Sequence, residues 1–179
     1  MKRMLGLALL AILALPLVAR AAGPEAAEKF FDPFLGDLRA ELAAAKSSGK
    51  QGVLLMFHFD DCPYCQRMKQ NVLSREDVQA FYAKRFVALP IDTKGSTEIT
   101  DFAGKSWVEK EFARALPVIG TPTFVFYGLD GKPVAKHVGE IKDPKEFILL
   151  GEYVASDAWR KQSFKDFLSA RAPAAGAPH

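Results

Sequence analysis

The two cysteines of this chain stand three residues apart in Phe57-His58-Phe59-Asp60-Asp61-Cys62-Pro63-Tyr64-Cys65, where an apolar run stops and a helical pattern begins. A helix start leaves backbone N–H groups without intrahelical partners and carries partial positive charge, so a sulfur placed there is stabilised as thiolate. The spacing puts Cys62 at the N-cap and Pro63 at the first helical position, where its missing N–H costs nothing and its fixed φ is already helical. Cys65 falls close to one turn further on, within reach of a disulfide to Cys62. A thiol with a pKa of ~8.5 is only about 3% ionised at pH 7, whereas one lowered to ~7 is about half thiolate. Placement therefore favours thiol–disulfide chemistry over two alternatives. A structural staple across about four residues gains only ~2 kcal/mol on the chain-entropy account, against roughly 4 to 5 for long loops. A zinc site lacks a second cysteine pair, and His58, His137 and His179 show no paired ligand spacing, so no metal is expected.

Upstream, Met1-Lys2-Arg3, an apolar run from Met4 to Val18 and Ala19-Arg20-Ala21 read as the charged, hydrophobic and cleavage regions of a secretory signal over residues 1–21. The run is ~15 residues long and holds Pro16, short of the ~20 that span a bilayer. Cleavage after Ala21 leaves 179 − 21 = 158 residues, enough for one domain with a full core. Losing Lys2, Arg3 and Arg20 takes Lys and Arg from 24 to 21, equal to the 21 Asp and Glu. A mature chain near neutrality, with no basic cluster, points away from nucleic acid and anionic membranes as partners. In an oxidising compartment a lone cysteine pair drifts to the disulfide unless something keeps reducing it.

In chain order, the apolar spacing of Phe30, Phe31, Phe34, Leu35, Leu38 and Leu42 predicts one amphipathic helix over 26–45 that docks on the domain. Val53 to Phe59 reads as a strand buried on both faces, followed by the active helix from Pro63 to about Leu73 with Cys65, Met68 and Val72 inward. Ser74 is expected to cap a second helix carrying Val78, Phe81 and Tyr82. Phe86 to Asp92 is expected to be a strand that Pro90 either pushes to a sheet edge or breaks near its end. Residues 93–105 read as a loop or small hairpin held by Ile99 and Phe102. Ser106-Trp107-Val108-Glu109 has the capping-box pattern for a helix bearing Phe112 and Leu116. A hairpin follows, Phe124 to Tyr127 and Val134 to Val138, turning at Leu129-Asp130-Gly131-Lys132. Asp143-Pro144 starts a helix to about Val154, and Ser156-Asp157 is expected to cap a last one to about Ala170.

Cys62-Pro63-Tyr64-Cys65 after a strand, together with Gly120-Thr121-Pro122-Thr123 before a hairpin, resembles the thioredoxin family over roughly residues 51–154. The resemblance implies an α/β thioredoxin-like fold, a mixed central sheet with helices on both faces and extra N-terminal and C-terminal helices. The expected division is an N-terminal helix at 22–50 packed on the domain, a thioredoxin-like domain with its C-terminal helix at 51–170, and a disordered tail at 171–179. It further implies that Cys62 and Cys65 are catalytic, that Pro63 and Tyr64 complete the active-site motif, that Pro122 is cis, and that Thr121 and Pro122 shape the surface on which substrate backbone docks. No cofactor is implied. More narrowly, the stretch from Thr100 through Lys105 into Trp107-Val108-Glu109-Lys110-Glu111-Phe112-Ala113-Arg114 is similar to exported bacterial thioredoxin-like proteins of the SoxW type. That likeness implies a periplasmic reductant of substrate protein disulfides, recharged by a membrane electron donor of the thiol-transporting type. The chain is expected to act as a monomer.

Departures from cytoplasmic thioredoxin matter to the chemistry. The buried aspartate of that family's active-site strand falls here at Met56 and its partner lysine at Ala88, so proton transfer at Cys65 needs another route. The tryptophan before the first cysteine is replaced by Asp61, and Pro63-Tyr64 is the glutaredoxin dipeptide. Asp60 and Asp61 oppose a strongly depressed Cys62 pKa, which favours a reductant over a dithiol oxidase. A non-catalytic binding module that uses the groove to hold a partner is the reading from outside the enzyme class. His58 is either a tuner of the thiolate or a histidine satisfied in place.

Overall fold

The computed structural model describes residues 24–171; the signal read at 1–21 and tail residues 172–179 lie outside the described residues. β1 (Gly52–His58) is buried at every position, as a continuous apolar run demands of a strand covered on both faces. It runs parallel to β2 (Phe86–Asp92) and antiparallel to β5 (Thr123–Gly128). β5 in turn pairs antiparallel with β6 (Pro133–Val138), giving the order β2-β1-β5-β6. β2 is an edge strand, and its Pro90 lies opposite Met56.

Because side chains alternate along a strand, β1 feeds two separate cores. Leu54 and Met56 join Cys62, Cys65, Met68, Tyr82, Phe126 and Phe147 on one face. α3 (Pro63–Met68), α4 (Glu76–Ala83), α6 (Pro144–Ala155) and α7 (Phe164–Ser169) cover that face. Val53, Leu55 and Phe57 join Leu38, Leu89 and Phe112 on the other. There the cover is α2 (Leu38–Ser47), α5 (Glu109–Ala115) and a hairpin of β3 (Glu98–Thr100) with β4 (Ser106–Val108). A mixed sheet between two helical layers is the α/β architecture expected from the order of elements.

The single N-terminal helix expected over 26–45 is instead two, α1 (Pro24–Glu28) and α2, separated by an irregular stretch. Pro33 and Gly36, the latter at φ +88°, interrupt it. The stretch straddles the open edge of the sheet. Phe30 and Phe31 enter the first core, Phe34 packs on the second, and Leu35 is 97% exposed. At the edge itself the Asp32 N–H donates to the Ala88 carbonyl at 2.8 Å, and the Ala88 N–H donates to the Asp32 carboxylate at 2.9 Å. This covers backbone groups of β2 that an edge strand would otherwise leave unpaired. Lys50 ties the same site down, its ammonium reaching Asp32 at 3.4 Å and the Phe86 carbonyl at 3.0 Å.

Three expected caps move. Ser74 does not cap α4: its hydroxyl donates to the Gln70 carbonyl at 2.6 Å, closing a π turn over Lys69–Leu73 that extends α3, and Arg75 takes the N-cap position. Ser106 is drawn into β4 by its pairing with Thr100, so α5 starts only at Glu109. Ser156 ends α6 by donating to the Glu152 carbonyl, and after one 3-10 turn at Ala158–Arg160 Ser163 caps α7. For Ser74 and Ser156 a carbonyl one turn back wins the hydroxyl from the following helix, and for Ser106 strand pairing takes the backbone.

Candidate active site

β1 delivers the chain to the C-terminal edge of the sheet, and Phe59, Asp60 and Asp61 turn it into α3. The Cys62 N–H closes that turn by donating to the Phe59 carbonyl at 3.1 Å, and the Gln66 amide donates to the Asp60 carbonyl at 2.9 Å. Cys62 has extended backbone at the N-cap, as its spacing predicts, and its Sγ accepts the Cys65 N–H at 3.1 Å. Pro63 occupies the first turn. A disulfide joins Cys62 to Cys65. Each cysteine is only about 1% exposed, whereas Tyr64 between them is 54% exposed.

The second segment brought to the pair comes from 59 residues further along the chain. Thr121 Oγ1 donates to Cys62 Sγ at 3.3 Å. The Thr121-Pro122 peptide is cis. Thr123 Oγ1 donates to the Gly120 carbonyl at 2.6 Å, and the Pro122 carbonyl accepts the Gly139 N–H at 2.8 Å, so the loop is fixed from both sides. Two apolar side chains on these flanking segments are open to solvent, Ile119 at 86% and Val138 at 39%. Cys62, Cys65, Pro63, Tyr64, Thr121 and Pro122 thus form one constellation.

The face of β1 that carries Met56 also carries His58, two residues on. Met56 is wholly buried and Ala88 is 2% exposed, so no carboxylate stands at that place behind the cysteines. His58 is 9% exposed and lines a cleft of about 210 Å³ with Cys65, Glu28, Asp60, Gln66 and Lys69. Burial, helped by the Lys69 charge, holds its imidazole below the ordinary range, against the pull of Asp92, Asp60 and Glu28.

Residue-by-residue reading of the sequence missed one contact at this site. Arg67 makes a bidentate pair with Glu140, while its guanidinium lies 4.6 Å from the centre of the Tyr64 ring. A pair separated by 73 residues leaves no local signal. The cleft likewise depends on Glu28, which pairs with Lys69 at 3.6 Å from a helix that spacing alone would have run straight past.

A family profile described as a thioredoxin-like domain matches residues 38–155. Comparison with curated protein sequences finds no match. Among solved structures, a thioredoxin-fold protein from Helicobacter pylori aligns with a TM-score of 0.59 at 18% identity, covering 81% of this chain and 88% of its own. A thioredoxin from Thermus thermophilus is 32% identical over 66% of this chain and 82% of its own, with a TM-score of 0.49. The C-terminal domain of DsbD from Neisseria meningitidis, in its reduced form, is 21% identical over 66% of this chain and 92% of its own, with a TM-score of 0.47.

Proposed function

The chain belongs to the thioredoxin-like domain family, and from that premise we propose that it is a periplasmic thiol–disulfide oxidoreductase that reduces disulfides of substrate proteins. The carrying observation is the Cys62–Cys65 disulfide at the start of α3, with Thr121 donating to the Cys62 sulfur. In the reduced protein Cys62 is the attacking thiolate, held by the helix start, the Cys65 N–H and the Thr121 hydroxyl. It forms a mixed disulfide with one substrate sulfur and expels the other. Cys65 then attacks Cys62 Sγ, which restores the intramolecular disulfide and frees the substrate as a dithiol. Tyr64, Thr121 and Pro122 supply the surface against which substrate backbone lies.

Export rests on the signal pattern at 1–21; no helix among the described residues is long and apolar enough to cross a membrane. Outside the cytoplasm the oxidised pair needs a membrane electron donor of the thiol-transporting type to be recharged. Asp60 and Asp61, both exposed, place negative charge before Cys62 and oppose extreme stabilisation of its thiolate. Only strong stabilisation of the reduced form makes a strong oxidant, so the potential belongs toward about −270 mV, the thioredoxin end, and away from about −120 mV, the oxidase end. Equilibration against a graded thiol–disulfide buffer measures it. A value at the oxidase end reverses the direction of electron flow, and a protein that turns over no disulfide substrate is a binding module.

A further inference from the structure

Met56 leaves the resolving cysteine without the buried carboxylate that a proton would otherwise use, yet Cys65 is not sealed off. It forms part of the wall of the 210 Å³ cleft that His58 also lines. At about 30 Å³ per molecule, a cleft of this size admits several waters, and its polar lining gives them partners. The ring nitrogens of His58 have no hydrogen-bond partner among the described residues, and the residue lines the cleft beside Cys65. The remaining charged groups around it are Lys69 on the π turn, its partner Glu28 on α1, Asp60 in the turn before Cys62 and Asp92 at the end of β2. Among these side-chain types imidazole is the one whose ordinary titration range lies near neutral pH.

We propose that His58 is the proton acceptor for Cys65, working through water in this cleft in place of a buried carboxylate. The inference rests on the oxidoreductase reading and deepens it. With substrate joined to Cys62 through a mixed disulfide, the Cys65 S–H gives its proton to the His58 imidazole by way of the cleft. The Cys65 sulfur lone pair forms the bond to Cys62 Sγ, and the bond between Cys62 and the substrate sulfur breaks, its electron pair leaving with the substrate as thiolate. The imidazolium then returns its proton through the open side of the cleft, and the substrate thiolate takes one up. Two electrons pass from the cysteine pair to the substrate disulfide. Burial keeps the imidazole uncharged at neutral pH, the form that accepts a proton. When the donor recharges the disulfide, the same path runs in reverse and supplies a proton to Cys65.

Mixing the reduced protein with 5,5′-dithiobis(2-nitrobenzoate) separates the two steps, because attack by Cys62 releases the first thionitrobenzoate and resolution by Cys65 the second. In His58→Gln the first phase stays within about twofold of wild type, and the second slows about tenfold at pH 7. An unassisted thiol is only ~3% ionised there, which caps the gain from a base at roughly thirtyfold. The difference closes above pH ~9, where the thiol ionises unaided. Added imidazole restores the second phase in His58→Ala, which a loss of packing alone does not allow. In wild type the second phase rises through the imidazole titration below pH ~6.5 and then levels, whereas an unassisted thiol keeps rising about tenfold per pH unit toward ~8.5. A wild-type second phase without that plateau overturns the assignment whatever the variants do, as does a second phase in His58→Gln that matches wild type in rate and pH profile. A wild-type protein with no first phase overturns the oxidoreductase reading itself.

Discussion

Arg67 on the active-site helix holds Glu140, beyond the end of β6, through three hydrogen bonds of 2.9 to 3.2 Å to both carboxylate oxygens. The Glu140 side chain is 8% exposed and that of Arg67 45%, so the acid is the covered partner. Glu140 follows Gly139, whose N–H binds the Pro122 carbonyl, so the pair ties the cysteine-bearing helix to the loop that touches Cys62 Sγ.

The Arg67 guanidinium holds the Glu140 carboxyl below its usual range. A depressed folded-state pKa contributes stability above the ordinary carboxylate value of ~4.3, and the contribution is lost as pH falls through the folded value. Glu140→Gln is therefore expected to unfold at lower denaturant than wild type at pH 7. The gap should narrow as pH falls below ~4, and urea titrations at pH 7 and through the acid range check it. Arg67→Lys should also weaken the pair at pH 7, because an ammonium cannot reproduce the fork geometry.

Thr121→Val removes the hydroxyl that donates to Cys62 Sγ while keeping the shape of the side chain. A hydrogen bond to the thiolate favours the charged form, so its loss raises the Cys62 pKa. With one such bond worth about 1 kcal/mol, alkylation of Cys62 in the reduced protein at pH 6 should slow roughly fivefold. An unchanged alkylation rate would mean that the hydroxyl leaves the sulfur once the disulfide opens.

Cys62→Ser should abolish disulfide reduction, because the attacking sulfur is gone. Cys65→Ser should keep the attack and accumulate a mixed disulfide with substrate, since nothing resolves it. Non-reducing electrophoresis with mass spectrometry distinguishes the two, and identical behaviour without a trapped species would refute the roles assigned to them.

Met56→Asp places a carboxylate at a position with no exposed surface, beside Ala88 and opposite Pro90 and Phe124, none of which carries a counter-charge. Desolvation raises the pKa of the introduced acid, and the variant should lose roughly 2–5 kcal/mol at pH 7. A raised folded-state pKa means that the folded protein binds the proton more tightly, so this deficit shrinks as pH is lowered toward ~4. Denaturant unfolding across pH 4–8 measures both the loss and its slope.

The sequence by itself determined the parts of this protein that depend on neighbours within a few residues. Cys62 at a helix N-cap with Pro63 behind it, the unbroken apolar run of β1, the edge position of the strand holding Pro90 and the turn at Leu129-Asp130-Gly131-Lys132 all follow from local sterics and from where backbone N–H groups go. Tertiary structure decided the remainder, where two partners compete for one group. A 3.6-residue spacing put Phe30, Phe31, Phe34 and Leu35 on one stripe. The unpaired edge of β2 instead captured Asp32, and the phenylalanines parted to opposite faces of the sheet. Ser106 matched a capping box, yet its pairing with Thr100 and the Trp107 indole N–H bond to Asp101 at 2.8 Å hold it in a strand. Arg67 met Glu140, and Glu28 came to close the cleft that His58 shares with Cys65, only because the sheet brings α1, α3 and the strand ends together. Such contacts span too much chain for residue spacing to encode, and they shape the surroundings of the cysteine pair.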